Sequence, residues 1–105
     1  MGIKELVEKD FDHFVGKGDS VVDFYADWCG PCKMMEPHFK KAADKLTKVK
    51  FGKVNVDKES DLAGRFNVMS IPTTIFFKDG EMVDSHTGGM GFEAIERLVK
   101  DNFLS

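Results

Sequence analysis

A run of almost continuous apolar residues at positions 21–26 is the feature that most restricts the fold of this sequence. The run is rich in β-branched and aromatic side chains, and a single acid, Asp23, interrupts it. A strand with one wet face alternates apolar and polar residues, so this run is typical of a strand covered on both faces. The chain is therefore expected to pack helices on both sides of a sheet that contains this strand.

The rest of the sequence alternates short apolar runs with longer stretches in which apolar residues recur at helical spacing. The pattern predicts strands at residues 3–7, 21–26, 49–56, 73–77 and 82–87, and helices at residues 11–15, 31–47, 59–66 and 92–103. Asp79 and Gly80 predict a hairpin turn between the last two strands. Pro37 is expected to bend the second helix without ending it, because the apolar pattern resumes beyond it. The order β-α-β-α-β-α-β-β-α predicts an α/β fold with a central mixed five-stranded sheet and helices on both faces.

Length and charge exclude several classes of function. The chain has 105 residues and is expected to form one domain over residues 1–105. Its net charge of -3 argues against a nucleic-acid partner, since phosphate binding needs a surplus of basic residues. No apolar run approaches the ~18 residues that a membrane-spanning helix needs, and the charged residues 1–14 are unlike a secretory signal. We expect a cytoplasmic monomer that does not enter a membrane.

Cys29 and Cys32 are the only cysteines, and they lie at the predicted start of a helix. One helical turn brings two side chains at this spacing within reach of a disulfide. A disulfide that closes so short a loop stabilises a fold by only about 2 kcal/mol on the chain-entropy formula. The spacing therefore favours a bond that opens and closes over a structural crosslink.

The predicted position also favours a reactive thiolate at Cys29. The N-terminus of a helix supplies free N–H groups and the positive end of its dipole, and Lys33 adds a nearby cation. A lowered pKa raises the thiolate fraction of Cys29 and makes its sulfur a better leaving group, although it reduces the intrinsic nucleophilicity. This combination is typical of thiol–disulfide exchange.

Two other interpretations of the cysteine pair stay open from the residues alone. In the first interpretation, the pair is half of a zinc site. The only histidines are His13, His38 and His86, and none forms a second pair at zinc spacing, which disfavours it. Alternatively, both cysteines are inert core residues, although Gly30 and Pro31 between them form turn sequence that is hard to bury. We expect no metal.

Asp23 is an anomaly within its apolar strand. An unpaired buried carboxylate is costly, so burial is expected to raise its pKa toward neutrality, the range that suits a group transferring protons. The alternative is a carboxylate at the end of the strand that faces solvent.

Residues 22–33, VDFYADWCGPCK, closely resemble the active-site segment of the thioredoxin family, and WCGPC at residues 28–32 matches that segment in full. The resemblance covers essentially the whole chain. Its other landmarks follow in matching order and spacing: Pro37, Lys53 with Asp57, Ile71-Pro72-Thr73, Phe77-Lys78-Asp79-Gly80 and Gly88. The resemblance implies a thioredoxin fold and a single thioredoxin domain over residues 1–105.

The resemblance further implies a protein dithiol–disulfide oxidoreductase, an electron carrier that reduces the disulfides of other proteins. Cys29 would be the exposed nucleophile, and Cys32 the buried thiol that displaces the reduced substrate and closes the Cys29–Cys32 redox disulfide. Asp23 would take or give a proton at Cys32. Lys53 would lie beside Asp23 and tune it.

The family's docking surface is carried over in the same way. A flat apolar surface would be formed by Trp28, Gly30, Pro31, Ile71, Pro72, Gly88 and Gly89. Pro72 would follow a cis peptide bond and face the sulfurs, and the backbone of Ile71 would bind a peptide. The resemblance implies no organic cofactor and no metal. The partners would be disulfide-containing target proteins and a thioredoxin reductase, either NADPH-flavin or ferredoxin-linked.

Two other functions of the same fold stay open. The first is a thiol oxidase or isomerase, which Gly30 and Pro31 disfavour because oxidising relatives carry other dipeptides there. The second is a thioredoxin-like binding subunit without turnover, which the presence of both cysteines disfavours.

Overall fold

Residues 2–104 are described by the computed structural model, and they form one mixed five-stranded sheet with helices on both faces. The strands are β1 (Lys4–Glu5), β2 (Asp19–Tyr25), β3 (Lys50–Asn55), β4 (Thr73–Lys78) and β5 (Glu81–Thr87). The helices are α1 (Glu8–Val15), α2 (Gly30–Lys45), α3 (Ser60–Arg65) and α4 (Phe92–Val99), and a π-helical turn (Lys100–Leu104) follows α4. None of the helices within residues 2–104 is long and apolar enough to span a bilayer.

The strands lie in the order β1-β3-β2-β4-β5. β1, β3 and β2 run parallel, whereas β4 is antiparallel to both β2 and β5. β2 is therefore the central strand and has one parallel and one antiparallel neighbour. The predicted element order, the mixed sheet and the hairpin at Asp79 and Gly80 are confirmed.

β2 is buried on both faces, as its apolar run predicts. Val21 belongs to a core cluster beneath α2 and α4, and the next residue, Val22, belongs to a second cluster beneath α1 and α3. Successive side chains of a strand point to opposite faces, so one strand supplies both cores. The first core also contains Phe39, Phe76 and Ile95, and the second contains Phe11, Phe24, Leu62 and Phe77.

The ends of the chain differ from the sequence prediction. Only Lys4 and Glu5 pair with β3, so the edge strand is shorter than residues 3–7. α1 begins earlier than predicted, because Asp10 accepts a hydrogen bond from the N–H of Val7 (2.9 Å) and holds the start of the helix in a charged segment without apolar periodicity. The predicted final helix changes at Val99 from α to π geometry.

Two contacts accompany the π-helical turn. Asn102 donates hydrogen bonds to the carbonyl oxygen of Leu98 and to the carboxylate of Asp84, both at 2.9 Å. Phe103 stays in the first core, with its ring centroid 6.2 Å from that of Phe76. The turn thus keeps the predicted apolar contact although its helical geometry differs.

Gly52 allows the side chains of Leu6 and Phe14 to pack closely over β3, and we predict that Gly52→Ala destabilises the fold. A Cβ at this position would lie 2.7 Å from Cδ1 of the fully buried Leu6 and 3.1 Å from Cε2 of Phe14. Overpacking of this kind lowers the free energy of unfolding by about 1–3 kcal/mol, which urea unfolding would measure. Gly64→Ala in α3 is the control, because a Cβ there meets no atom within 4 Å. It should raise the free energy of unfolding by about 0.4–1 kcal/mol, and a similar gain for Gly52→Ala would contradict the close approach.

Candidate active site

Cys29 and Cys32 form a disulfide across the first turn of α2, with their Cα atoms 5.3 Å apart. Cys29 is the residue that caps the helix, and its Sγ accepts a hydrogen bond from the backbone N–H of Cys32 (3.2 Å). Pro31 occupies the first turn, where its missing N–H costs nothing. The sulfur of Cys29 therefore lies at the N-terminus of a 16-residue helix, where negative charge is favoured once the disulfide opens.

The two cysteines are buried to the same degree, so the prediction of an exposed Cys29 is wrong for this oxidised state. Cys29 is 4% exposed and Cys32 is 5% exposed. The disulfide draws the two sulfurs together against Ala26, and the side chain of Ile71 packs beside them. The two residues still differ in surroundings, because Cys29 lines a mainly apolar surface groove, whereas Cys32 lines a smaller cavity that it shares with Asp23.

The groove at Cys29 has a volume of about 460 Å³. Its lining is mainly apolar and consists of Trp28, Cys29, Gly30, Pro31, Val56, Val68, Met69, Ser70 and Ile71. Four of the predicted docking residues thus come together here, and the Sγ of Cys29 lies 3.9 Å from the carbonyl oxygen of Ile71. Val68 and Met69 were not predicted, and the 86% exposure of Met69 leaves a large apolar side chain in water beside the groove.

The other three predicted docking residues lie outside the lining of this groove. Pro72 is buried and follows a cis peptide bond, as the resemblance implies. The carbonyl oxygen of Pro72 accepts a hydrogen bond from the N–H of Gly88 (2.8 Å). Gly88 has a φ of 107°, a backbone conformation that favours glycine. Gly89 lines a neighbouring hollow together with Pro31 and Met34.

Asp23 is buried and lines the same cavity as Cys32, which excludes the solvent-facing alternative. The side chain is 6% exposed, and the cavity of about 160 Å³ lies between the sheet and α2. Burial raises the pKa of Asp23 to about 7, against the opposing charge of Lys53. The carboxyl group is therefore near half-ionised at neutral pH, in the cavity that Cys32 also lines.

Lys53 is the direct neighbour of Asp23 across the β2–β3 pair, as the resemblance implies. Its Nζ lies 3.8 Å from Oε1 of Glu5 and 3.9 Å from Oε2 of Glu36. Both glutamates raise the pKa of Asp23, so they oppose the effect of the lysine. Neither glutamate was predicted from the sequence, although Glu36 lies one helical turn after Cys32 and so shares its helix face.

Asn55 and Asp57, for which no role in the site was predicted, order the loop after β3 that contacts Trp28. The indole Nε1 of Trp28 donates a hydrogen bond to Oδ2 of Asp57 (2.8 Å). Asn55 accepts hydrogen bonds from the N–H groups of Asp57 (2.9 Å) and Lys58 (3.2 Å). The predicted topology could have indicated this contact. β2 and β3 are parallel, so the loops after their carboxyl ends meet at one edge of the sheet.

Metal coordination finds no support in the arrangement of ionisable side chains. Within residues 2–104, no group of three or more His, Cys, Asp or Glu side chains is arranged to hold a metal ion. Nδ1 of His38 instead accepts a hydrogen bond from the backbone N–H of Phe92 (3.2 Å), at the start of α4.

A disulfide at the point where a helix begins is placed for exchange, and with an ionisable carboxyl in the adjoining cavity it defines a dithiol–disulfide oxidoreductase. The family model Thioredoxin matches residues 2–101. The chain is 44% identical to a thioredoxin of Staphylococcus aureus over 101 residues, which are 95% of this chain and 94% of the relative. It is 40% identical to a thioredoxin of Chlamydia pneumoniae over 97 residues, which are 92% of this chain and 95% of the relative.

The fold agrees with solved structures of the same family. The structure of Malassezia sympodialis thioredoxin matches with a TM-score of 0.89 and 32% identity, over 97% of this chain and 94% of that chain. The chain belongs to the thioredoxin family, and its Cys29–Cys32 pair occupies the active-site position. It is a dithiol–disulfide oxidoreductase with a redox-active disulfide.

We predict that Asp23→Ala stabilises the fold, and more strongly at high pH. The carboxyl group has a pKa of 3.8 when free and about 7 in the folded protein. The folded state is therefore penalised as pH rises through this window, and the penalty is complete above pH 7. The gain in unfolding free energy should be about 2–3 kcal/mol larger at pH 8 than at pH 5, since the cost of the lost side-chain volume is independent of pH. Urea unfolding at both pH values measures this, and a gain that does not change with pH would contradict the raised pKa.

We also predict opposite shifts of the Asp23 pKa for two neighbouring substitutions. Lys53→Met should raise the pKa, because it removes the nearest cation, and Glu36→Gln should lower it, because it removes a repelling carboxylate. Carbon-13 NMR titration of the Asp23 carboxyl group measures both. The control is Asp44→Asn, which removes an exposed carboxylate further along α2. A shift in the control as large as that of Glu36→Gln would mean that only net charge matters.

Proposed function

We propose that this chain reduces disulfides of other proteins, with Cys29 as the attacking thiolate and Cys32 as the resolving thiol. One observation carries this assignment: the two sulfurs adjoin different spaces, a surface groove at Cys29 and the Asp23 cavity at Cys32. The groove is the larger of the two spaces, about 460 Å³ against about 160 Å³, and its mainly apolar lining suits contact with a protein substrate. The cavity suits the thiol that has to lose a proton before it attacks.

The proposed reaction begins with the reduced pair. The thiolate of Cys29 attacks one sulfur of a substrate disulfide, a mixed disulfide forms, and the other substrate sulfur leaves as a thiolate that takes a proton from water. The Cys32 thiol then gives its proton to Asp23, and its sulfur attacks the Sγ of Cys29. The Cys29–Cys32 disulfide forms, the second substrate thiolate leaves, and two electrons have passed to the substrate.

Asp23 acts as the proton acceptor in this scheme. Its pKa of about 7 lets it accept a proton from Cys32 and release it again at neutral pH. Lys53 lowers that pKa and so keeps part of the carboxyl group ionised and ready to accept. Asp23 thus moves a proton at Cys32, and Lys53 acts through Asp23.

Docking of the substrate is proposed at the groove and its rim. Trp28 supplies an exposed ring that Asp57 orients, and Gly30, Pro31 and Ile71 complete the apolar floor. We assign Pro72, Gly88 and Gly89 to the rim, because the Gly88–Pro72 hydrogen bond fixes the loop that carries Ile71. The carbonyl group of Ile71 near the sulfur is placed to bind an extended substrate backbone.

Electron supply follows from the family. Thioredoxins are generally reduced by thioredoxin reductase and act on disulfide-containing targets. We propose the same partners for this chain, with an NADPH-flavin or a ferredoxin-linked reductase as the donor. We also propose that residues 1–105 act as one monomeric domain in the cytoplasm, because a reducing compartment regenerates the dithiol form.

Cys32→Ser is predicted to trap substrates on Cys29. Without the resolving thiol, the mixed disulfide has no internal route to release, so adducts with a disulfide-bonded protein such as insulin should accumulate. Non-reducing electrophoresis and mass spectrometry would locate the adduct at Cys29. Cys29→Ser is the matched control and should form no adduct through the groove. Adducts that form mainly on Cys32 in that control would reverse the two assignments.

The equilibrium with glutathione separates this proposal from the other activities of the fold. A reductase should already be in its disulfide form at low ratios of oxidised to reduced glutathione. An oxidase or isomerase should reach that form only at much higher ratios. Full biological function of the Cys29→Ser variant would instead indicate a binding subunit without turnover.

A further inference from the structure

A row of polar side chains crosses all five strands on the face that packs against α2 and α4. The strand registers pair Glu5 with Lys53, Lys53 with Asp23, Asp23 with Thr74, and Thr74 with His86. Paired residues on neighbouring strands point to the same face of a sheet, so these side chains form one continuous line. Thr74 is the neighbour of Asp23 on the side opposite Lys53.

Asp23 and Thr74 share an uncommon property. Among residues 2–104, only three buried side-chain oxygens have no hydrogen-bond partner, and two of them are Oδ1 of Asp23 and Oγ1 of Thr74. Thr74 is fully buried. Buried polar atoms almost always have a partner, so two unpartnered atoms on directly opposed residues point to a bond that forms in one state of the site and breaks in another.

We propose that Thr74 is a positioning residue whose hydroxyl group donates a hydrogen bond to Oδ1 of Asp23 whenever Asp23 is ionised. The Cβ atoms of opposed residues lie about 4.5–5.5 Å apart, a separation that side-chain rotation can bridge. A hydroxyl group rotates freely, and an ionised carboxylate is purely an acceptor. The bond weakens when Asp23 takes a proton, because the charge that strengthens it disappears.

Ionisable groups surround Asp23 from several elements. They are Lys53 from β3, Glu5 from β1, Cys32, Lys33 and Glu36 from α2, Tyr25 from β2, Asp27 from the loop after β2, and His86 from β5 beyond Thr74. Among the described residues, α4 contributes none to the lining of the cavity. Lys53 is shared with Glu5 and Glu36, and the Thr74 hydroxyl group is the donor on the opposite side of Asp23.

This inference rests on the proposed role of Asp23 as the proton acceptor for Cys32. A hydrogen bond to the ionised carboxylate favours the charged form and lowers its pKa. Thr74 would thus enlarge the fraction of Asp23 that is ready to accept a proton. It would do so without adding a charge to the core.

The test compares Thr74→Val, which removes the hydroxyl group at constant shape, with Thr74→Ser, which keeps it. Carbon-13 NMR titration should show a higher Asp23 pKa in Thr74→Val and a value near wild type in Thr74→Ser. If the pKa rises by one unit from about 7, the ionised fraction at pH 7 falls about five-fold. The rate of insulin reduction should fall by a similar factor at pH 7 and return to the wild-type rate above pH 9. A purely structural defect would lower the rate at every pH.

Ser20→Ala is the matched control. Ser20 carries the third unpartnered buried oxygen and belongs to the same strand as Asp23. It lies three positions before Asp23, so its side chain is on the opposite face of the sheet. Its removal should leave the Asp23 pKa unchanged. An unchanged Asp23 pKa in folded Thr74→Val would overturn the proposal.

Two further outcomes are decisive. If Thr74→Val does not fold, the side-chain NMR shifts of Thr74 in the wild-type protein should follow the titration of Asp23 with the same midpoint, and shifts independent of pH would refute the hydrogen bond. If the Asp23 pKa rises in Thr74→Val while the rate at pH 7 stays constant, the hydrogen bond is supported. The proposed proton-accepting role of Asp23 then fails.

Discussion

The hydrogen bond from the N–H of Cys32 to the sulfur of Cys29 is the interaction on which the site depends. It forms because the buried strand β2 ends shortly before α2 begins, and a cysteine then occupies the capping position. Both the strand and the helix are held by the same core, so the position of the sulfur is fixed by packing and not by the loop. The first turn of α2 then places the second sulfur at the cavity. A capping residue with an oxygen would stabilise the helix equally well, but it could not form a redox-active disulfide.

Burial of Asp23 shows that the fold gives up stability at this point. A neutral residue at the centre of β2 would pack without the cost of desolvating a carboxylate, and Lys53 compensates for that cost only in part. Two glutamates share the charge of the lysine and weaken the compensation further. The result is a carboxyl group whose pKa lies near neutrality. A tighter ion pair with Lys53 would instead keep the carboxyl group ionised at neutral pH. The arrangement therefore lets the carboxyl group gain or lose a proton near neutral pH, at a cost in stability.

Local patterns in the sequence predicted most of the fold, because β2, α2 and the hairpin at Gly80 have clear periodicity or turn residues. The ends of the chain were less predictable: β1 is defined by pairing with β3, and the start of α1 by the carboxylate of Asp10. The cysteine pair was evident from its spacing, whereas the cis bond before Pro72 came from the family resemblance alone. The equal burial of Cys29 and Cys32 was missed, because it results from packing against Ala26 and Ile71, which the spacing of the cysteines does not reveal.

The mixed sheet explains how distant segments meet at one carboxyl group and one sulfur. The parallel side of β2 brings Lys53 to Asp23, and the loop after β3 brings Asp57 to Trp28. The antiparallel side brings Thr74 to Asp23, and the loop before β4 brings Ile71 to Cys29. Each neighbour of β2 thus brings one residue to Asp23 and one to a residue that lines the groove. An all-parallel sheet would turn β4 around, so the loop that precedes it would lie at the far edge and the sulfur would lose one wall of its groove.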